Sequence, residues 1–214
     1  LLWIDSEHTN LAFTLFAIPS ISINDSIVKV EEIKSHKDLL NPKWKGKLTI
    51  NDPTIAGLGG KWLSILGRYI MDLDFVRAVA RQEPVIMRDL RLQVEWLSQG
   101  KYPVAIAAST AVITEFKKAG APISYVEPAE GTWLGNGDGG LALIINAPHP
   151  NAARVFINWL LTKEGQSLYS RAYGAPSGRL DVSVEGIDPV TVPKPGLKYV
   201  IGFREEVLTG ENEF

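Results

Sequence analysis

Residues 102–108, Tyr-Pro-Val-Ala-Ile-Ala-Ala, form an unbroken apolar run, and this run constrains the fold more than any other stretch of the chain. A strand with one wet face alternates apolar and polar residues. A run without alternation is buried on both faces, as in a parallel sheet covered by helices. The run leads into Ser109-Thr110 and a helical pattern that Gly120 ends. The same order recurs along the chain. Lys47 to Asn51 reads as a strand, followed by helices over Gly60–Met71 and Asp74–Gln82, the second with a cap in the Asp72-x-Asp74 region. Asp89 to Gln99 reads as a helix, with Leu90, Val94 and Leu97 on one face and Gly100 at the C-terminal cap. Ile123–Val126 and Gly139–Ile145 read as strands. A helix follows from Pro150 to Leu161, and Thr162 caps another over Lys163–Ala172. Ile33 to Leu40 reads as a short helix stopped by Asn41-Pro42. Leu11 to Ile23, interrupted by Pro19, reads as a long strand or strand pair. The tail from Pro176 is rich in Pro and Gly and is expected to wrap rather than pack. Alternation of this kind specifies an α/β fold with a largely parallel sheet.

Composition narrows the function. The 214 residues suffice for one large domain or two small lobes. A net charge of −2 with no Lys/Arg cluster argues against a nucleic-acid partner. No apolar run approaches the ~20 residues that span a bilayer. The chain has no cysteine, so it makes no disulfide, thiolate metal site or cysteine nucleophile. It opens on Leu1-Leu2-Trp3-Ile4, which suggests a fragment or processed product.

Asn51 to Gly60, "NDPTIAGLGG", places three glycines between a strand and a helix. The dinucleotide fingerprint fails, because Trp62 occupies the position of its third glycine. The phosphate loop fails as well: Ile55 replaces its first glycine and Trp62 its Mg²⁺-binding hydroxyl. Two readings remain. Thr54, Gly57 and Gly59 offer hydroxyl and backbone donors to an anion at a helix N-terminus, or the glycines only make a tight turn. Ser109 and Thr110 cap a helix at the carboxyl end of a strand, where α/β proteins place ligands. Arg88 precedes the Asp89 cap and is either solvated or an anion clamp. Asn136-Gly137-Asp138 resembles part of a calcium loop without its carboxylate series, and reads as a turn that lets backbone approach a ligand. His8, His36 and His149 are far apart and read as surface or capping residues. No base, nucleophile, metal set or cofactor motif accompanies these donors, which favours binding over catalysis.

Three stretches carry a resemblance: "DLLNPKWKGKLTINDPT" (38–54), "VEWLSQGKYPVAIAAST" (94–110) and "HPNAARVFINWLLTKEGQSLYSRAYGAPSGR" (149–179). Together they resemble the extracellular solute-binding proteins of ABC importers, in the branch that includes ferric-iron-binding proteins. The resemblance implies a type II periplasmic-binding-protein fold of two α/β lobes with ligand in the cleft between them. This chain would represent mainly the second lobe and part of the first. Residues 1–23 would be crossing strands and a remnant of lobe one, 24–130 lobe two, 131–178 a return to lobe one, and 179–214 a wrap towards lobe two. The family's usual N-terminal portion and export signal would then be missing, and self-association of the remainder becomes plausible. Iron-binding members carry adjacent tyrosines just after the strand matching 102–108, where this chain has Thr110 and Ala111. Ferric binding by that pair is therefore not expected. The resemblance implies a non-enzymatic, periplasmic or cell-surface subunit that captures a small polar or anionic solute, needs no cofactor and docks on a membrane permease. The alternatives are a ligand-sensing domain of a receptor and an α/β enzyme on the same architecture.

Overall fold

The computed structural model describes residues 2–137 and 139–210. In chain order the strands and helices are β1 (Leu2–Trp3), β2 (Asn10–Ala12), β3 (Phe16–Ile18), β4 (Ile21–Asn24), β5 (Leu48–Asn51), α1 (Leu58–Ile65), α2 (Leu73–Ala80), β6 (Val85–Met87), α3 (Leu90–Ser98), β7 (Val104–Ile106), α4 (Thr110–Lys118), β8 (Ile123–Val126), β9 (Thr132–Gly135), β10 (Gly140–Ala142), α5 (Pro150–Leu160), α6 (Lys163–Tyr173), β11 (Tyr199–Ile201) and α7 (Glu205–Gly210). The chain divides into two compact units. One comprises residues 1–17, 134–197 and 201–209; the other comprises 18–133, 198–200 and 210–214.

The second unit is built on a five-stranded sheet of order β6-β5-β7-β4-β8. β5 runs parallel to β6 and to β7, whereas β4 is antiparallel to both its neighbours. The sheet is therefore mixed, with β4 alone reversed. Val104, Ala105 and Ile106 are fully buried, as an apolar run without alternation requires. Val94, Leu97, Ile113 and Ile123 pack against this strand's Ala105 as one cluster. Trp62, 1% exposed, anchors α1, and its ring lies 6.3 Å from that of Phe75 in α2. A dinucleotide site would need glycine at that position; here it holds the largest side chain of the core.

The caps explain where the helices begin and end. Asp72 accepts from Phe75 N–H, Asp89 from Arg91 and Leu92 N–H, and Thr162 from Gly165 N–H. Gly100 and Gly120 adopt left-handed conformations just past α3 and α4. Other local expectations are corrected. Residues 36–40 form a 3-10 turn, because Asn41 and Pro42 leave no room for a longer helix. The helix expected over 60–71 begins at Leu58 and widens into a π-turn over Leu66–Ile70. Leu11 to Ile23 breaks into parts of three strands.

The first unit holds a three-stranded sheet of order β1-β2-β10, together with α5, α6 and α7. The strand expected over 139–145 stops at Ala142. β10 is an edge strand, so Leu143, Ile144 and Ile145 continue an apolar run with no ladder on their outer side, at 38, 76 and 88% exposure. Residues 179–197 belong to this unit. The tail is tied there by Leu15 N–H to Pro176 O, Gly178 N–H to Phe13 O, and Ala17 N–H to Thr191 O.

His36 is not a surface residue. It is fully buried in the second unit, with Nε2 2.9 Å from the Ser20 hydroxyl and Nδ1 3.3 Å from Glu130 Oε2. Burial pushes its pKa down to about 4, against the opposite pull of Glu130. Between about pH 6.5 and 4 an unfolded histidine binds a proton that the folded one does not. Stability contributed by neutral His36 is thus complete above 6.5 and gone by about 4, a difference of at most about 3 kcal/mol. Urea midpoints measured from pH 7 to 4 should fall across this window, and His36→Gln, which cannot take the proton, should flatten the slope.

Candidate functional site

Parallel pairing sends the chain out of β5, β6 and β7 on one edge of the second unit's sheet. The loops that follow are 52–57, 88–89 and 107–109, and they carry Thr54, Gly57, Arg88 and Ser109, with Thr110 opening α4. The three helix N-termini singled out in the sequence therefore gather at one edge.

Asp52 organises them. Its N–H donates to Met87 O, which ties the loop after β5 to the end of β6. Asp52 Oδ1 accepts from Thr54 N–H at 2.9 Å and from Thr54 Oγ1 at 2.6 Å. Asp52 Oδ2 accepts from Arg88 Nε at 2.8 Å. The Asp52 side chain is 5% exposed and that of Arg88 75%. The guanidinium is thus held at its Nε end by a buried carboxylate, while its remaining N–H groups face outwards. The Thr54 hydroxyl, followed by Arg88 and the Thr54 backbone N–H, holds the Asp52 carboxyl at about 2, so it is ionised at any physiological pH.

Gly57 sits at the N-cap of α1 with φ 149°, a backbone form open to glycine, and has no side chain of its own to cap the helix. Gly59 differs from expectation. It is buried, and its N–H donates to Asn51 Oδ1 at 3.0 Å, so it has no donor left for a ligand. Its task is close approach: a Cβ there would stand 2.0 Å from Asn51 O and 2.6 Å from Asp52 O. Asn51 completes the corner by donating from Nδ2 to Met87 O.

After β7 the chain turns sharply. Ala107 has φ 53°, a left-handed conformation that costs an alanine about 1–2 kcal/mol. Its N–H is held by Ser20 O at 3.0 Å, and Gln93 Nε2 holds Ile106 O at the same distance. The strained residue re-aims the chain so that Ser109, half-buried, caps α4 by accepting from Val112 N–H. The Ser109 and Thr110 hydroxyls both lie at this edge.

Asn136 and Gly137 belong to the first unit, apart from the residues above in the chain's division. Asn136 O accepts from Gly139 N–H and from the Thr14 hydroxyl. Gly137 has φ 50°, and a Cβ there would lie 2.8 Å from the Phe16 ring. Asp138 lies outside the described residues. Among the described residues, no group of three or more His, Asp or Glu is gathered as a metal-ligand set.

The family described as bacterial extracellular solute-binding protein matches residues 20–174. The chain belongs to that family. A relative in Haemophilus influenzae (strain ATCC 51907 / DSM 11121 / KW20 / Rd), described as an uncharacterized protein, is 30% identical over 146 residues, or 63% of this chain. The match spans 39% of that relative's own length. Among solved structures, the Trichodesmium protein IdiA or FutA, in complex with iron and citrate, matches at TM-score 0.74 and 17% identity, over 96% of this chain and 67% of that one. The periplasmic binding protein AfuA of Actinobacillus pleuropneumoniae, with fructose-6-phosphate bound, matches at TM-score 0.68 and 19% identity, over 95% and 66%. The fold is that of the type II periplasmic binding proteins, and members of the solute-binding family are binding proteins of ABC importers rather than enzymes.

The sequence singled out six residues at this edge, Thr54, Gly57, Gly59, Arg88, Ser109 and Thr110, but neither Asn51 nor Ala107, which help to hold them. Asp52 was legible as an Asx turn in Asp-Pro-Thr. Asn51 carried no such signal, and nothing about an alanine announces the left-handed Ala107. Gly59→Ala should destabilise the protein by about 3 kcal/mol, the upper end for overpacking against rigid backbone. Gly120→Ala, where nothing lies within 4 Å, should cost only the left-handed strain, about 1–2 kcal/mol. Parallel thermal melts check the difference.

Proposed function

We propose that this chain is the solute-capturing part of an ABC importer's binding subunit, and that its solute is a small polar or anionic molecule held at the carboxyl edge of the second unit's sheet. The observation that carries this reading is the Asp52–Arg88–Thr54 arrangement. A buried carboxylate fixes an exposed guanidinium beside the N-terminus of α1, where Asn51 holds the Gly59 N–H while the helix dipole and the other first-turn N–H groups favour negative charge. Ser109 and Thr110 add hydroxyl donors. Gly59 and Thr54 supply no donor to the contact set, because theirs are spent on Asn51 and Asp52.

The relatives' ligands bear on the class of solute. One neighbour in fold is described with iron and citrate, another with fructose-6-phosphate. Thr110 and Ala111 supply no phenolate for ferric ion, and the hydroxyls and guanidinium suit a phosphate or carboxylate. A phosphorylated or carboxylated metabolite is therefore the better match than a ferric ion. Loaded protein would dock on a membrane permease, and the setting would be periplasmic or at the cell surface.

Native mass spectrometry of the full-length protein, purified without refolding, tests the reading. A retained small anion, lost from Arg88→Ala, supports it; the lost charged hydrogen bonds should weaken binding by about 1.5–3 kcal/mol. A retained neutral or cationic solute, or one that Arg88→Ala binds equally well, contradicts it.

A further inference from the structure

The second unit also holds a cavity of about 380 Å³ that shares no residue with the edge cluster. Tyr69, Ile70, Glu130, Thr132, Lys198 and Tyr199 line it. Three features give it the character of a site.

The first is a fixed anion. Ser35 Oγ donates to Glu130 Oε1, and His36 N–H donates to Oε2 at 3.0 Å, with the His36 ring Nδ1 3.3 Å from the same oxygen. His36 is itself buried and backed by Ser20 at 2.9 Å. Burial raises the Glu130 pKa, but the Ser35 and His36 donors more than offset it and leave it below its ordinary value. The carboxylate is charged and pre-aimed, and Oε1, which accepts from Ser35 Oγ, has a second lone pair for a ligand.

The second is a cation on a fixed stretch of backbone. Lys198 O accepts from Thr132 N–H at 3.2 Å. Gly131, at φ +93°, allows this approach, since a Cβ there would stand 2.3 Å from Lys198 O. Among the described residues the Lys198 ammonium makes no ion pair.

The third is the wall opposite. The π-turn over Leu66–Ile70 brings Tyr69 and Ile70 to the cavity. π-turns are rare and are frequent at functional sites.

Opposite charges on a cavity with apolar and aromatic lining, of the volume that small-molecule sites have, define a ligand class. We propose that this cavity is a second small-molecule site, which takes a zwitterion of amino-acid size, with its ammonium on Glu130, its carboxylate on Lys198 and its side chain against Ile70. The site goes beyond the solute reading above and stands or falls separately from it.

The test is isothermal titration of the full-length protein with each of the twenty free L-amino acids, alongside inorganic phosphate. At least one amino acid should bind with one-to-one stoichiometry. Lys198→Glu should weaken it by about tenfold or more, as loss of a charge-assisted contact does, and Lys198→Arg should retain it. Glu130→Gln should weaken it similarly. If that variant misfolds through loss of the Ser35 and His36 ties, the exposed Lys198 still decides the matter. No binding at millimolar concentration overturns the proposal, as does a bound amino acid that Lys198→Glu leaves unaffected.

Discussion

Because β5 runs parallel to β6 on one side and to β7 on the other, the three segments leaving these strands must emerge on the same edge of the sheet. Everything proposed for the function depends on that. Asp52 can reach Arg88 only because the ends of β5 and β6 are adjacent, and the bond from Asp52 N–H to Met87 O fixes their register. Ser109 joins the same edge only because β7 is the other neighbour. Reversing β5 would scatter the same residues to opposite ends of the sheet with their sequence unchanged.

The supports at this edge lie beneath it. Asn51 spends its side chain on Gly59 N–H and Met87 O, and Asp52 spends its own on Thr54 and Arg88. Ser20 holds Ala107 through its carbonyl and His36 through its hydroxyl. The polar groups that satisfy one another include the buried Asn51 and Asp52; those left facing outwards are Gly57 and the outer guanidinium of Arg88. This is the division of labour a binding site needs, since donors that moved freely would lose their entropy on binding.

What the sequence disclosed and what it hid follow a physical rule. Local hydrogen bonds leave local signatures. Asp89, Thr162 and Gly100 were legible as caps because a cap acts on backbone a few residues away. The buried β7 was legible because burial on both faces erases alternation. Interactions across long stretches of chain leave no such trace. The reversed direction of β4, the burial of His36 between Ser20 and Glu130, and the left-handed Ala107 are set by partners distant in sequence. Gly59 read either as a donor to a ligand or as part of a tight turn; its N–H is taken by Asn51, whose backbone also leaves no room for a Cβ there. The apolar run through Ile145 looked like a strand because composition reports propensity, whereas a strand also needs a neighbour.

The most direct test of the edge as an anion site is amide NMR of the full-length protein during titration with a hexose phosphate. The account predicts saturable shifts concentrated at Gly57, Leu58, Arg88, Ser109 and Thr110, with Gly59 and Thr54 moving little because their N–H groups stay on Asn51 and Asp52. Saturable shifts centred elsewhere in the second unit, with these amides unmoved, would contradict it.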